Sequence, residues 1–149
     1  MEKFKQLQLN ILQQHIENIK ICDRPSNGWI RSIRKSLGMS VRQLAERIGV
    51  SQQSISKLEE SELDDAITLR TLRRAAEALD CKLVYAIVPN QGKLEDIIKK
   101  QAHKKAKEIV EPVNHSMLLE NQMVGDVKEK IVEIAKELAN DLNSKLWNK

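Results

Sequence analysis

The chain has 149 residues, a formal net charge of +4, 41% hydrophobic residues and only 3% aromatics. One modest domain with extensions and an aliphatic core fits those numbers, and the scarcity of Gly and Pro makes the composition a helical one. No apolar run reaches the length of a membrane span, and the stretch from Phe4 to Ile21 is broken by Lys5, Gln6, Glu17 and Lys20, so neither a membrane anchor nor a secretory leader is expected. A soluble, cytoplasmic protein is the reading that follows. Cys22 and Cys81 lie far apart and form no CxxC pair, and Cys81, beside apolar residues, reads as a small buried hydrophobe.

In chain order, residues 1–22 show an amphipathic helix. Phe4, Leu7, Ile11, Ile16 and Ile19 recur at helical steps, and Leu9 and Leu12 broaden the stripe. Asp23-Arg24-Pro25-Ser26-Asn27-Gly28 breaks it. A second helix runs from about Trp29 to Leu37, with Ser26 or Asn27 as cap and Gly38 as its left-handed end. Ser40-Val41-Arg42-Gln43 has the form of a capping box and opens a third helix ending at Gly49. Ser51 caps a fourth, Gln52 to about Glu60, and the acidic turn Glu62-Leu63-Asp64-Asp65 follows. Thr68 caps a fifth, with Leu69, Leu72, Ala76 and Leu79 as its buried stripe.

From Lys82 to Val88 the chain is dense in strand formers and stops at Pro89, which predicts one strand. No second strand exists to pair with it. A two-fold dimer would supply one, as an antiparallel ribbon through Leu83, Val84, Tyr85, Ala86 and Ile87; a short extended linker is the other reading. Residues 93–111 are helical again, with an apolar face of Leu94, Ile97, Ile98, Ala102, Ala106, Ile109 and Val110, and Pro112 is expected to end them. The lysines between 99 and 107 read equally as a phosphate-binding surface or as a solvated helix face. A short helix near 117–124 and a last one from about Val127 to Trp147 complete the pass, the latter with Val127, Ile131, Ile134, Leu138 and Leu142 on one side. Trp147 reads as a core residue or an anchor.

His15, His103 and His115 are scattered, without Cys or carboxylates at ligand spacing, so no metal is expected. There is no Gly-rich phosphate loop and no nucleophile in a triad context, so neither an enzyme nor a bound cofactor is expected.

The informative stretch runs from Leu44 to Glu59. Two short helices crossing steeply need a small residue at the crossing, Ala45, and a positive φ in the turn, Gly49. Val50, Ile55 and Leu58 complete a shared core with Leu44 and Ile48. Ser51 caps the second helix and turns its first residues outward: Gln52, Gln53 and Ser54. A glutamine amide matches N6 and N7 of adenine in the major groove. Ser54 and Lys57 are expected close to base or phosphate, and Arg42 and Gln43 are expected to help position the backbone of a bound duplex.

Residues 28–79 resemble the Cro-like phage repressors, the xenobiotic-response-element type of helix-turn-helix. The residues that carry the likeness are Ile33-Arg34, Leu44-Ala45, Ile48-Gly49-Val50-Ser51, Ser54-Ile55, Leu58-Glu59 and Thr68-Leu69. The resemblance implies a five-helix domain binding a palindromic operator in double-stranded DNA as a homodimer. It also implies a buried ion pair between Arg34 and Glu59. Where many members place a phosphate-touching Gln after Ser40, this chain has Val41, which passes that contact to Arg42 or Gln43.

A broader likeness covers nearly the whole chain. Gly28-Trp29-Ile30-Arg31, Gly38-Met39-Ser40, the stretch from Thr68 to Cys81, Leu83 to Pro89 and the tail to His115-Ser116-Met117 are similar to the mobile mystery protein A family. That family is typically encoded beside a Fic-domain protein, which implies an antitoxin role with that protein as partner. Hip-type antitoxins are similar in carrying a strand after the domain that pairs between subunits.

The expected fold is all-α with one short β-strand: a Cro/repressor-like helix-turn-helix domain, N- and C-terminal helical extensions and an intersubunit ribbon. The segments are 1–24 for the N-terminal helix, 25–81 for the DNA-binding domain, 82–89 for the dimerisation strand and 90–149 for the C-terminal helical region. The expected function is an operator-binding repressor and antitoxin. A stand-alone phage-like repressor, or an interaction scaffold with a degenerate helix-turn-helix, are the alternatives. The regions 1–22 and 90–149 exceed what DNA binding needs, and at least one of them is expected to contact the partner.

Overall fold

A computed structural model describes residues 2–119 and 127–148. Among these residues every regular element is helical and there is no strand: α1 (Glu2–Glu17), α2 (Trp29–Ser36), α3 (Val41–Ile48), α4 (Gln52–Leu63), α5 (Leu69–Ala78), α6 (Leu94–Leu119), α7 (Val127–Asp141) and a 3₁₀ turn, Ser144–Trp147. The chain divides into two compact units, Lys20–Tyr85 and Met1–Ile19 with Ala86–Lys149.

In the Lys20–Tyr85 unit the core is built on Ile30, Leu44, Ala45, Ile55, Ala75 and Leu79, one or two from each of α2 to α5 and its end. Ile48, Val50, Leu58 and Leu72 pack around them. Leu69 was expected in the α5 stripe, but it opens that helix and is 45% exposed. Ala75, fully buried, occupies the inward face nearly two turns further along. Cys81 is also exposed, contrary to expectation, because the chain has already left α5; its thiol donates to the Leu79 carbonyl at 3.3 Å.

The expected strand does not form. Residues 82–88 have no regular secondary structure, and among the described residues none of their backbone groups has a hydrogen-bond partner. Leu83, Val84, Tyr85, Ala86 and Ile87 have strand-forming chemistry, but propensity becomes a strand only against a pairing edge, and the described residues supply none. Val84 is 72% and Ile87 89% exposed.

In the other unit, α6 packs against α7. Ala106 and Val110 meet Ile131, with Val127, Ile134, Ala135 and Leu138 around them. Ala106, fully buried, is a small side chain at the α6–α7 contact and lets the helices approach, and Ala102, one turn before it, is fully buried as well. Ile97 and Ile109, expected on the same face, are exposed instead. The 3₁₀ turn buries Leu146 and leaves Trp147 exposed, so the anchor is the leucine. Pro112 does not end α6, which continues to Leu119. A proline inside a helix removes one donor, and here the ladder resumes past it, with Ser116 Oγ donating to the Pro112 carbonyl at 3.2 Å. The remainder of the helix expected near 117–124 lies outside the described residues.

α1 lies in the same unit and meets α6 through polar groups. The Leu94 amide donates to Gln13 Oε1 at 3.0 Å, and Lys93 Nζ sits 3.2 Å from Glu17 Oε1. The Gln13 amide, and after it the Lys93 ammonium, hold the Glu17 carboxyl below the usual carboxylate range. The other side of α1 carries Phe4, Leu7 and Ile11, all exposed.

Candidate nucleic-acid interface

The geometry of α3 and α4 is written largely in local capping chemistry. Ser40 Oγ accepts from the Gln43 amide at 3.2 Å, while Gln43 Oε1 accepts from the Ser40 amide at 2.8 Å, which completes the capping box. α3 ends at Gly49 in the left-handed region, φ 80°, where the amides of Gly49 and Val50 both donate to the Ala45 carbonyl, at 2.8 and 3.0 Å. A side chain with a Cβ is strained at that φ, so the glycine sets the turn. Ser51 is then extended and accepts from the Ser54 amide at 3.2 Å. Two capped helix starts, eleven residues apart in sequence by the positions Ser40 and Ser51, fix where each helix begins.

This frame presents Gln52 and Gln53 on the outside of the first turn of α4. Both are exposed, and neither side-chain amide has a hydrogen-bond partner within the described residues. Each therefore keeps its full donor and acceptor capacity. Lys57, one turn on, is also exposed and makes no ion pair there. The other residues singled out by sequence are differently engaged. The Ser54 hydroxyl shares a hydrogen bond of 2.8 Å with Ser51 Oγ, so part of its capacity goes to the cap. Arg42 Nε donates to Glu46 Oε1 at 2.9 Å in an exposed pair that a phosphate can displace at little cost. Gln43 has its oxygen committed to the capping box, which leaves the NH₂ end outward as a donor.

Behind α4 stands a lattice of buried charge. Arg34 Nε donates to Glu59 Oε1 at 2.7 Å and Nη2 to Oε2 at 3.1 Å, a two-pronged pair in which both side chains are buried. Arg34 Nη1 also donates to the Met39 carbonyl at 3.1 Å, and Arg31 Nε lies 3.5 Å from Glu59 Oε2. These bonds set the rotation of α4 relative to α2.

Two further residues hold α4, and sequence reasoning missed both. The start of α2 was expected to be capped by Ser26 or Asn27. Instead Gly28 is the N-cap residue, with no side chain to offer, and the Glu62 carboxylate accepts from the Trp29 amide at 2.6 Å and the Ile30 amide at 3.0 Å. Glu62 belongs to the last turn of α4, which runs on to Leu63, and not to a following loop. Arg24 completes the exchange: it donates to the carbonyls of Glu62 and Leu63 and pairs with Asp65 at 2.7 Å. One end of α4 thus caps α2, and the segment before α2 caps that end of α4. A carboxylate on α4 beside a glycine-led helix start was the available signal, but nothing local links residues that far apart in sequence.

Two more arginines tie α5 to the turn. Arg47 Nη1 donates to the Ala78 carbonyl at 2.8 Å, and Arg74 Nη2 to the Ile48 carbonyl at 3.4 Å. Among the described residues no cluster of His, Cys, Asp or Glu is arranged to hold a metal, and no helix is long and apolar enough to cross a membrane.

Residues 30–85 match the helix-turn-helix family model. No curated protein and no solved structure gives a match. The match covers the domain and does not extend to the narrower mobile mystery protein A family. These residues form a DNA-binding helix-turn-helix domain of the kind found in transcription regulators.

Proposed function

We propose that this regulator is a repressor that reads a palindromic operator as a homodimer and has no catalytic role. The observation that carries the reading is the pair of exposed, unengaged amides of Gln52 and Gln53 on a capped helix start. Two carboxamides at the tip of such a helix suit adenine N6 and N7 edges in the major groove. Lys57 and the Ser54 hydroxyl lie on the same helix beside them, and the outward NH₂ of Gln43 and the Arg42 guanidinium suit phosphate. In vitro selection should return a preferred duplex. Gln52→Ala should then lose about 1–3 kcal/mol of discrimination against a changed base, read by fluorescence anisotropy on matched and altered duplexes. Equal weakening on every sequence would exclude base reading by Gln52.

The homodimer rests on residues 82–88. Among the described residues their backbone donors and acceptors are unspent, the side chains of Val84, Tyr85 and Ile87 are exposed, and a second copy offers the matching edge about a two-fold axis. That axis would set two copies of α4 about one DNA turn, roughly 34 Å, apart. Sedimentation of the intact chain at micromolar concentration should give a dimer, and a monomer would overturn this part. The antitoxin role, with a Fic-domain protein as partner, rests on the family resemblance and on the exposed stripe of Phe4, Leu7 and Ile11 on α1. Co-expression with a Fic-domain protein encoded alongside tests it. The two should co-purify, and separate elution would leave a stand-alone repressor.

A further inference from the structure

An α-helix leaves its last four carbonyls without partners inside the helix. In α4 these belong to Glu60, Ser61, Glu62 and Leu63. The first two are met by the backbone that follows. The Asp64 amide donates to the Glu60 carbonyl at 3.1 Å, and the amides of Ala66 and Ile67 donate to the Ser61 carbonyl at 2.9 and 3.2 Å. The Glu62 carbonyl has only a long bond of 3.4 Å from the Asp65 amide, and among the described residues no backbone amide reaches the Leu63 carbonyl. The Arg24 guanidinium fills this gap. Its Nη1 donates to the Glu62 carbonyl and to Asp65 Oδ1, and its Nη2 donates to the Leu63 carbonyl at 3.2 Å.

The same stretch of chain is tied to α4 a second time, in the opposite sense. The Glu62 carboxylate accepts from the Trp29 and Ile30 amides, and the Gly28 amide donates to the Pro25 carbonyl at 2.8 Å, which folds the segment between. Residues 24–30 and the last turn of α4 thus close a ring of bonds, all of it within the Lys20–Tyr85 unit. The family match starts at residue 30, so it assigns Arg24 no part. Ile55, fully buried, seats α4 in the core, but apolar packing sets no direction by itself, and directional bonds do. A carboxamide that bonds an adenine edge at two points needs that direction, because hydrogen bonds weaken steeply as their angle falls toward about 120°. We propose that Arg24 is a positioning residue for base reading: by holding the last turn of α4 it fixes the direction in which Gln52 and Gln53 leave the first. The proposal rests on the base-reading role of those glutamines. Arg24 acts through the helix and not on the duplex.

The test uses the full chain and three duplexes of equal length: the selected one, the same with one altered base pair, and a random sequence. Affinities are read by fluorescence anisotropy, well below the melting midpoint that circular dichroism gives for each variant. Arg24→Ala should narrow the ratio of affinities between the selected and altered duplexes by about three- to tenfold, with the random duplex bound as by the wild type. A role in folding alone would lower the folded fraction, weaken all three duplexes by one factor and leave the ratio untouched. That result overturns the proposal, and so does wild-type behaviour on all three. Asp65→Asn removes the exposed ion pair but keeps the bonds to the carbonyls, and asparagine tolerates the φ of 55° at that position. It should keep the wild-type ratio, and a loss equal to that of Arg24→Ala would place the effect in the ion pair and overturn the role of the carbonyl bonds. If the wild type prefers no duplex, the reading of α4 fails and the proposal falls with it. If Gln52→Ala narrows the ratio while Arg24→Ala does not, only the Arg24 proposal fails.

Discussion

In the Lys20–Tyr85 unit, three of the buried side chains are charged: Arg34, Glu59 and Glu62. In the unit formed by Met1–Ile19 with Ala86–Lys149, the buried residues among those described are apolar: Ala102, Ala106, Val110, Ile131 and Leu146. Directional bonds between charged groups fix angles and rotations, because a two-pronged carboxylate–guanidinium pair has one good geometry. Small aliphatic contacts fix the distance between two helices but leave their rotation to shape alone. A helix that must present particular amides needs the first kind of support.

The largest expected effect comes from breaking the charged lattice. Arg34→Ala strands the Glu59 carboxylate in the core and should cost about 3–5 kcal/mol, seen as a large fall in melting temperature. If the melting temperature is unchanged, the pair contributes nothing and the contrast between the units collapses. The corresponding insult to the other unit is one of volume. Ala106→Leu forces a larger side chain into the α6–α7 contact and should cost about 1–3 kcal/mol, while Gln or Ser at 106 would bring a different penalty, that of a buried polar group. A neutral Ala106→Leu would show that the hairpin is looser than its buried alanines indicate.

The smallest effect is at Glu17. Its folded-state pKa is lowered, so the stabilisation it brings is present above the ordinary carboxylate value and is lost as pH falls through the lower, folded value. The group is fully exposed, so screening keeps the effect slight. The protection factors of the α1 amides, which already allow for the slower intrinsic exchange in acid, should fall on acidification in the wild type, and Glu17→Gln should remove that part of the pH dependence. Identical pH profiles would show that the Lys93 contact does not tether α1.

What could be read from sequence followed from how far each interaction reaches along the chain. The capping box at Ser40 and Gln43, the caps at Ser51 and Thr68 and the turn at Gly49 involve partners within a few residues, and residue type alone declares them. The outward position of Gln52 and Gln53 follows from those caps. Glu62 and Arg24 act on groups more than thirty residues away, so their residue type says only that they are charged. Pro112 misled because a proline removes a single donor, and whether a helix survives that depends on the turns on either side. The strand at 82–88 misled because β-propensity describes a readiness to pair, and pairing is a property of two segments.

The start of α2 carries one more consequence, for how this sequence can change over generations. Gly28 stands at φ 77°, and a Cβ built on it would lie 2.8 Å from the Glu62 carboxylate oxygen. A side chain at 28 would be strained in its own backbone and would push aside the group that holds the amides of Trp29 and Ile30. A shorter acid at 62 would draw back from those amides, and the bare helix start at 28 has nothing to offer in its place. Either change costs α2 its cap, while the Arg34–Glu59 pair still joins α2 to α4. The cap is thus a joint property of two residues that the chain separates by the whole of the helix-turn-helix.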